Sequence, residues 1–182
     1  RAMMTDSGMR DGPPLEIEVK LRLPGLEDLP PRLESLGFQL ETPLQDETST
    51  LWDRGAELFD QGCALRVRRY GGGATLTWKG PKQVDPLLKI RPELETAVAD
   101  AEILEGILKV LGYAPVMRMV KQRAVYRRGG LVACLDRAPF GCFLELEGSE
   151  KDILEARASL GLSGAEVEVR GYPGLFRAYG LA

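Results

Sequence analysis

A strict alternation of apolar and charged residues, LEIEVKLRL at 15–23, is the feature that most constrains how this chain can fold. Successive side chains of a β-strand point to opposite faces, so the segment predicts a strand with one apolar and one charged face. The charged face carries Glu16, Glu18, Lys20 and Arg22. Such a face meets either bulk water or a ligand that needs carboxylates and an amine side by side.

The same alternation recurs in five further segments, CALRVRRY, TLTWKG, LLKIRPELET, VKQRAVYRR and FLELEG. Residues i and i+2 of a strand lie about 7 Å apart on one face. Pairs such as Arg66 with Arg68, or Glu145 with Glu147, are therefore like-charge neighbours, and they repel each other unless an opposite charge lies between them. The set of strands thus favours an enclosed charged face over an ordinary solvated one.

Between these strands, the sequence predicts helices near residues 29–36, over 100–112 with Asp100 as N-cap, and after Ser149. It also predicts a hairpin at GGGA, an edge or bulge at Pro92, and a strand followed by a helix in the tail from 165. We therefore expect an α+β fold in which about eight antiparallel strands close into a barrel. Helices would cover its apolar outside and leave a charged interior.

Composition narrows the chemistry and the setting. The chain has no histidine, which excludes histidine bases and the usual zinc sites. A net charge of −3 argues against a general nucleic-acid binder. Three cysteines form no paired pattern, which favours a reduced, cytoplasmic protein, and we expect neither a membrane span nor a signal peptide. Residues 1–14 are expected to be a disordered tail or cloning remnant, and 15–182 a single domain.

The charged strands carry motifs in a characteristic order. EIEVK resembles the E-x-E-x-K signature of the CYTH family, also called triphosphate tunnel metalloenzymes, and ALRVR, LTWKGP, RPELE, KQR and FLELEG resemble its later strands. RGYPGLF is similar to the S-Y-x-x-L segment of many members, although Gly171 stands where serine is usual. The resemblance covers nearly the whole chain from Leu15 and implies an eight-stranded antiparallel tunnel.

The resemblance also implies roles for individual residues. Glu16, Glu18, Glu145 and Glu147 would hold one or two Mg²⁺ or Mn²⁺ ions, with Asp136 near them, and these five with Lys20 would form the catalytic set. Phosphate oxygens would be bound by Lys20, Arg66, Arg68, Lys79, Arg91, Lys121 and Arg123. Supporting roles fall to Glu93 and Glu95, which would either orient basic residues or help to hold a second metal ion. Arg170, beside Tyr172, would close over the substrate.

The family contains both hydrolases and cyclases, because the tunnel binds the triphosphate rather than the group attached to it. We expect hydrolysis of tripolyphosphate, a nucleoside triphosphate or thiamine triphosphate. Formation of cyclic AMP from ATP is the first alternative, and a non-catalytic polyphosphate or nucleotide sensor is the second. Trp52 is either an aromatic residue at the tunnel mouth, as in thiamine triphosphatases, or a core residue. The resemblance also allows a homodimer.

Overall fold

The computed structural model describes residues 12–181, which form a closed barrel of eight antiparallel strands with five helices around it. The strands are β1 (Leu15–Leu23), β2 (Gln39–Asp53), β3 (Ala64–Tyr70), β4 (Gly73–Lys79), β5 (Lys89–Val98), β6 (Ala114–Arg128), β7 (Leu131–Ala138) and β8 (Gly141–Glu147). The helices are α1 (Leu29–Ser35), α2 (Glu57–Asp60), α3 (Ala101–Val110), α4 (Glu150–Ser159) and α5 (Tyr172–Ala178). The predicted fold class is confirmed. The tail expected at 1–14 lies almost wholly outside the described residues.

Neighbouring strands follow the order β1-β5-β4-β3-β2-β6-β7-β8, and β8 pairs back onto β1. The predicted hairpin between β3 and β4 is confirmed. Gly71 and Gly72 both have positive φ, +62° and +77°, which is the backbone that a two-residue type I′ turn requires. A three-strand antiparallel meander is formed by β6, β7 and β8, which are joined by short turns.

Most of the apolar core lies between the outside of the barrel and the helices, while a smaller cluster of Leu51, Met117, Met119 and Phe176 reaches the interior. Val19 and Leu21 of β1 are fully buried and belong to one cluster with Leu33 of α1 and Ile153 of α4. A second cluster joins Trp52 and Val67 of the wall to Leu108 of α3. Burying each such side chain contributes about 2 kcal/mol, which favours the orientation of β1 that turns Glu16, Glu18 and Lys20 inside.

Two of the predicted helices begin as the sequence indicates. The Asp100 side chain accepts a hydrogen bond from Ile103 N at the start of α3. Ser149 Oγ accepts one from Asp152 N at the start of α4. Within residues 12–181, no helix is long and apolar enough to cross a membrane. All three cysteines are free thiols.

Two sequence predictions need correction. The edge or bulge expected at Pro92 is present only as a local edge, since the barrel closes although β5 pairs with β1 up to Pro92 and with β4 beyond it. Pro92 lies where β5 ends its pairing with β1 and continues with β4 alone, so its missing N–H is tolerated. The strand expected in the tail is reduced to one bridge between Leu21 and Val167, because only a short stretch of β1 beyond its pairing with β5 is free to accept it.

Candidate active site

The barrel encloses a cavity of about 400 Å³, and sixteen of its 26 lining residues are charged. Nine lining side chains are lysines or arginines and seven are glutamates. The structure brings thirteen of the residues predicted from the sequence together here, namely Glu16, Glu18, Lys20, Arg66, Arg68, Lys79, Arg91, Glu93, Glu95, Lys121, Arg123, Glu145 and Glu147. Six strands contribute them, so only the closed barrel makes a single site.

Acidic and basic side chains lie on opposite sides of this cavity. Most of the glutamates project from β8, β1 and β5, which are neighbours in the barrel. Four of the basic residues, Arg66, Arg68, Lys121 and Arg123, project from β3 and β6 on either side of β2. In an eight-stranded ring, β2 is opposite β1. A ligand in the cavity therefore lies between a carboxylate side and a guanidinium and ammonium side.

Lysines within the acidic side neutralise part of its charge. Lys89 Nζ lies 2.9 Å from Glu18, and Lys20 Nζ lies 3.0 Å from Glu145. Lys79 Nζ lies 2.5 Å from Glu93 and 3.5 Å from Glu16. Burial acts to raise the pKa of Glu145, but the positive charges of Lys20 and Arg123 outweigh it and hold that pKa well below its usual range.

Two carboxylates, those of Glu16 and Glu147, have too little positive charge nearby to offset their burial. Burial and a hydrogen bond with Glu93 raise the pKa of Glu16 to about 9, while the pKa of Glu93 is lowered, so the two share a proton. Burial and the negative charges of Glu18 and Glu93 raise the pKa of Glu147. No described lysine or arginine forms an ion pair with Glu147 within 4.0 Å.

These carboxylates fit a hard divalent cation by their chemistry. Mg²⁺ and Mn²⁺ prefer oxygen ligands, and Glu16, Glu18, Glu145 and Glu147 offer only carboxylate oxygens. Glu18 lies opposite Glu147 in the pairing of β1 with β8, so donors of both strands adjoin. Among residues 12–181, no three such side chains already converge on one point. Glu16, Glu18 and Glu145 pair instead with the lysines described above.

The basic side is arranged by Glu95, and one of its donors is left without a partner. Glu95 lies 3.0 Å from Arg68 and 3.4 Å from Arg66, and it accepts a hydrogen bond of 2.6 Å from Thr77. Arg66 Nε is buried and has no hydrogen-bond partner among the described residues. An unpaired buried donor of this kind is costly and is satisfied by an anionic ligand. Arg91 differs, since it donates to the carbonyl oxygens of Gly62 and Gly80.

Asp136 does not line the cavity but lies behind the basic side, fully buried. Its carboxylate accepts hydrogen bonds from Lys121 Nζ at 2.9 Å and from Arg123 at 2.7 and 2.6 Å. Tyr172 donates a further one, at 2.5 Å. Asp136 therefore orients two basic residues rather than facing a ligand itself.

Arg170 and Trp52 also lie outside the cavity. Arg170 is half exposed and pairs with Glu168, whereas its neighbours Gly171, Tyr172 and Pro173 line the cavity. Trp52 points outward into the cluster beneath α3 and is 3% exposed. The interpretation of Trp52 as an aromatic residue at the tunnel mouth is therefore wrong. The Trp52 side chain lies on the outer face of β2 and packs against α3.

The sequence reasoning missed four lining residues with polar or charged side chains, Glu47, Ser49, Lys82 and Lys89. Lys89 shares the inward face of β5 with Arg91, so strand alternation alone identifies it. Glu47 and Ser49 of β2 share a face in the same way, but neither belongs to one of the recognised motifs. Lys82 lies in the loop between β4 and β5, where no periodicity applies.

Glu47 gives a prediction for pH dependence. Burial acts to raise its pKa, but Arg123 and Lys121 outweigh burial and lower the pKa to about 2. A carboxylate whose pKa is lower in the folded than in the unfolded state stabilises the fold above its unfolded pKa, near 4.5, and this contribution is lost as pH falls towards 2.

The Glu47→Gln variant is therefore expected to be less stable than the wild type at pH 6, by up to about 3 kcal/mol. The difference should shrink between pH 4.5 and 2. Urea unfolding of both proteins across this range measures it. A difference that stays constant with pH would contradict the lowered pKa. Asp46→Asn, an exposed change one residue away, is the control.

Comparison with known proteins agrees with this geometry. The CYTH domain profile matches residues 14–172. A protein of Methanocaldococcus jannaschii, provisionally named an adenylate cyclase, is 32% identical over 142 residues, which are 78% of this chain and 81% of that protein.

Solved structures share the fold. The PH1012 protein from Pyrococcus horikoshii OT3 superposes with a TM-score of 0.72 at 26% identity, over 88% of this chain and 98% of its own. A Hippeastrum protein, provisionally named an adenylyl cyclase and described as having a dominant triphosphatase activity, superposes with a TM-score of 0.64 at 23% identity, over 90% and 96% of the two chains. The family profile spans every strand of the barrel, and this chain belongs to the CYTH domain family.

Proposed function

We propose that this protein is a divalent-metal-dependent enzyme that hydrolyses a triphosphate inside the barrel. One observation carries the proposal, namely that a carboxylate side and a basic side face each other across one enclosed cavity. A triphosphate needs donors for its oxygens, and its metal needs oxygen ligands. A cavity lined by side chains of a single charge sign would bind either the phosphate groups or the metal ion, but not both.

The basic side would bind the phosphate oxygens. Arg66 and Arg68 are held by Glu95, and Lys121 and Arg123 are held by Asp136, so all four are positioned before a ligand arrives. Preorganised donors stabilise the charge that builds on phosphate oxygens during transfer without having to reorient. The unpaired Nε of Arg66 would gain its partner from the ligand.

The acidic side would hold Mg²⁺ or Mn²⁺ through Glu16, Glu18, Glu145 and Glu147. Dependence on a divalent metal is general among the tunnel proteins of this family. When bound, the ion would neutralise phosphate charge and lower the pKa of a coordinated water. The proton shared by Glu16 and Glu93 would leave as the ion binds, because carboxylates coordinate metals in their ionised form.

Hydrolysis is favoured over cyclisation by the side chains present. The cyclases that this sequence resembles often carry histidine just before the first strand, and this chain has none. The name of the M. jannaschii relative keeps adenylyl cyclase activity as the second candidate. A non-catalytic sensor is less favoured, because binding of an anion alone would not require seven glutamates in the cavity wall.

Parallel product assays test the proposal. We expect phosphate release from at least one of tripolyphosphate, ATP and thiamine triphosphate in the presence of Mg²⁺ or Mn²⁺, and no release after chelation. Cyclic AMP and pyrophosphate formed from ATP would instead identify a cyclase. Ligand-dependent thermal stabilisation without any product would identify a sensor and contradict hydrolysis. The same assays identify the substrate, and light scattering on the purified protein measures whether it forms the homodimer that the resemblance allows.

A further inference from the structure

Tyr172, the first residue of α5, lies where the C-terminal helix meets the cavity. Its ring faces two ammonium groups of the site, with Lys20 Nζ 3.5 Å and Lys121 Nζ 4.8 Å from the ring centroid. Its hydroxyl donates to Asp136, the carboxylate that also holds Lys121 and Arg123. One side chain therefore contacts, directly or through a single carboxylate, three of the basic residues of the cavity.

We infer that Tyr172 is a positioning residue of the phosphate site, which holds the ammonium groups of Lys20 and Lys121 in place while leaving their N–H bonds available to a triphosphate. This inference rests on the proposed function. It extends that proposal to a residue outside the charged set.

The physical reason lies in how an aromatic face differs from a carboxylate. The ring quadrupole stabilises a desolvated cation without accepting a hydrogen bond along a fixed direction. Lys20 is 1% exposed, and Glu145 is the one described carboxylate that pairs with it. A second carboxylate at the position of Tyr172 would occupy another N–H and would repel the ligand. An aromatic ring does neither.

Packing fixes the orientation of the ring. Phe143 of β8 is fully buried and meets Tyr172 edge to face, with ring centroids 5.8 Å apart. The hydroxyl at the other end of the ring is held by Asp136. Both ends of the side chain are therefore constrained, which a residue that merely covers the cavity would not need.

The alternative is that Tyr172 only anchors α5 to the barrel. Tyr179 provides the matched comparison, because it anchors the same helix by stacking on Phe140 at 4.9 Å and does not line the cavity. Tyr172→Leu removes the aromatic face, Tyr172→Phe removes only the hydroxyl, and Tyr179→Leu loosens α5 without contacting a lysine of the site.

Calorimetric binding of tripolyphosphate in the presence of a chelator tests the inference on the whole chain. We expect Tyr172→Leu to weaken binding about tenfold, the size expected for loss of a desolvated cation–π contact. Tyr172→Phe should weaken it less, about threefold, because the lost hydrogen bond to the Asp136 carboxylate acts on Lys121 and Arg123 only indirectly. Tyr179→Leu should bind like the wild type.

Equal affinity of Tyr172→Leu and the wild type would overturn the inference, and so would an equal loss in Tyr179→Leu. If the Leu variant fails to fold, wild-type affinity in Tyr172→Phe would overturn the link through Asp136. Weaker binding by the Tyr172 variants in a protein that releases no phosphate would support the inference while refuting hydrolysis. Failure of the wild type to bind tripolyphosphate would overturn both.

Discussion

Replacing Glu147 by Gln is expected to reduce triphosphate turnover by about a hundredfold or more while leaving the fold as stable as before or more so. The loss follows if Glu147 is a metal ligand, since metal stabilisation of a transition state amounts to several kcal/mol. The unchanged stability follows from its surroundings, because burial and the charges of Glu18 and Glu93 raise its pKa. Removing that charge relieves repulsion in the metal-free protein.

The sign of the pH effect can be checked on the same variant. A carboxylate whose pKa is raised in the folded state costs stability once the pH rises above its unfolded value, so any gain in Glu147→Gln should appear at neutral pH and vanish below pH 4. Glu41→Gln is the control, because Glu41 is half exposed, pairs with Arg127 and does not line the cavity. Full turnover in Glu147→Gln would contradict the metal assignment.

Much of this fold could be predicted because apolar and charged residues alternate in the same way along several strands. Val19 and Leu21 require an apolar partner, and a helix on the outside of the barrel supplies it. Glu16, Glu18 and Lys20 are then forced inward by strand geometry alone. Since six strands show this alternation, thirteen predicted site residues reach one cavity without any tertiary information.

The predicted site residues that lie outside the cavity are those whose side-chain positions depend on tertiary contacts. Asp136 alternates like its neighbours, yet Lys121, Arg123 and Tyr172 surround its carboxylate behind the cavity wall. Arg170 lies outside the cavity because it pairs with Glu168. The position of Glu168 depends in turn on a hydrogen bond from its backbone N–H to the backbone carbonyl oxygen of Lys20. No periodicity in the sequence encodes either arrangement.

The reaction is also beyond the reach of pattern alone. In the function proposed above, the side chains of this cavity would bind a triphosphate and a metal ion, and hydrolysis and cyclisation both need these two ligands. Water or a ribose hydroxyl attacks the same kind of phosphorus centre, and the same donors would stabilise either transition state. The difference lies in the positioning of the nucleophile, which depends on how the organic group fits beside the charged side chains.

Replacing Asp136 by Ala is expected to destabilise the fold by about 4 kcal/mol, because the change leaves two buried cations without their carboxylate. Lys121 and Arg123 are each 7% exposed, so water cannot replace the lost contacts. Glu47 and Glu145 remain near Arg123 at 3.5 and 2.5 Å and limit the loss. Urea unfolding at pH 7 measures the free energy of unfolding.

A double substitution separates this electrostatic cost from a packing defect. If unpaired charge causes the loss, adding Lys121→Met to Asp136→Ala should recover part of the stability, since one stranded cation is then removed. If the loss comes from a cavity, the second change should only add to it. Asp46→Ala, an exposed change on β2, should cost less than about 0.5 kcal/mol. A loss below about 1 kcal/mol in Asp136→Ala would mean that neither the basic side nor Tyr172 depends on this carboxylate.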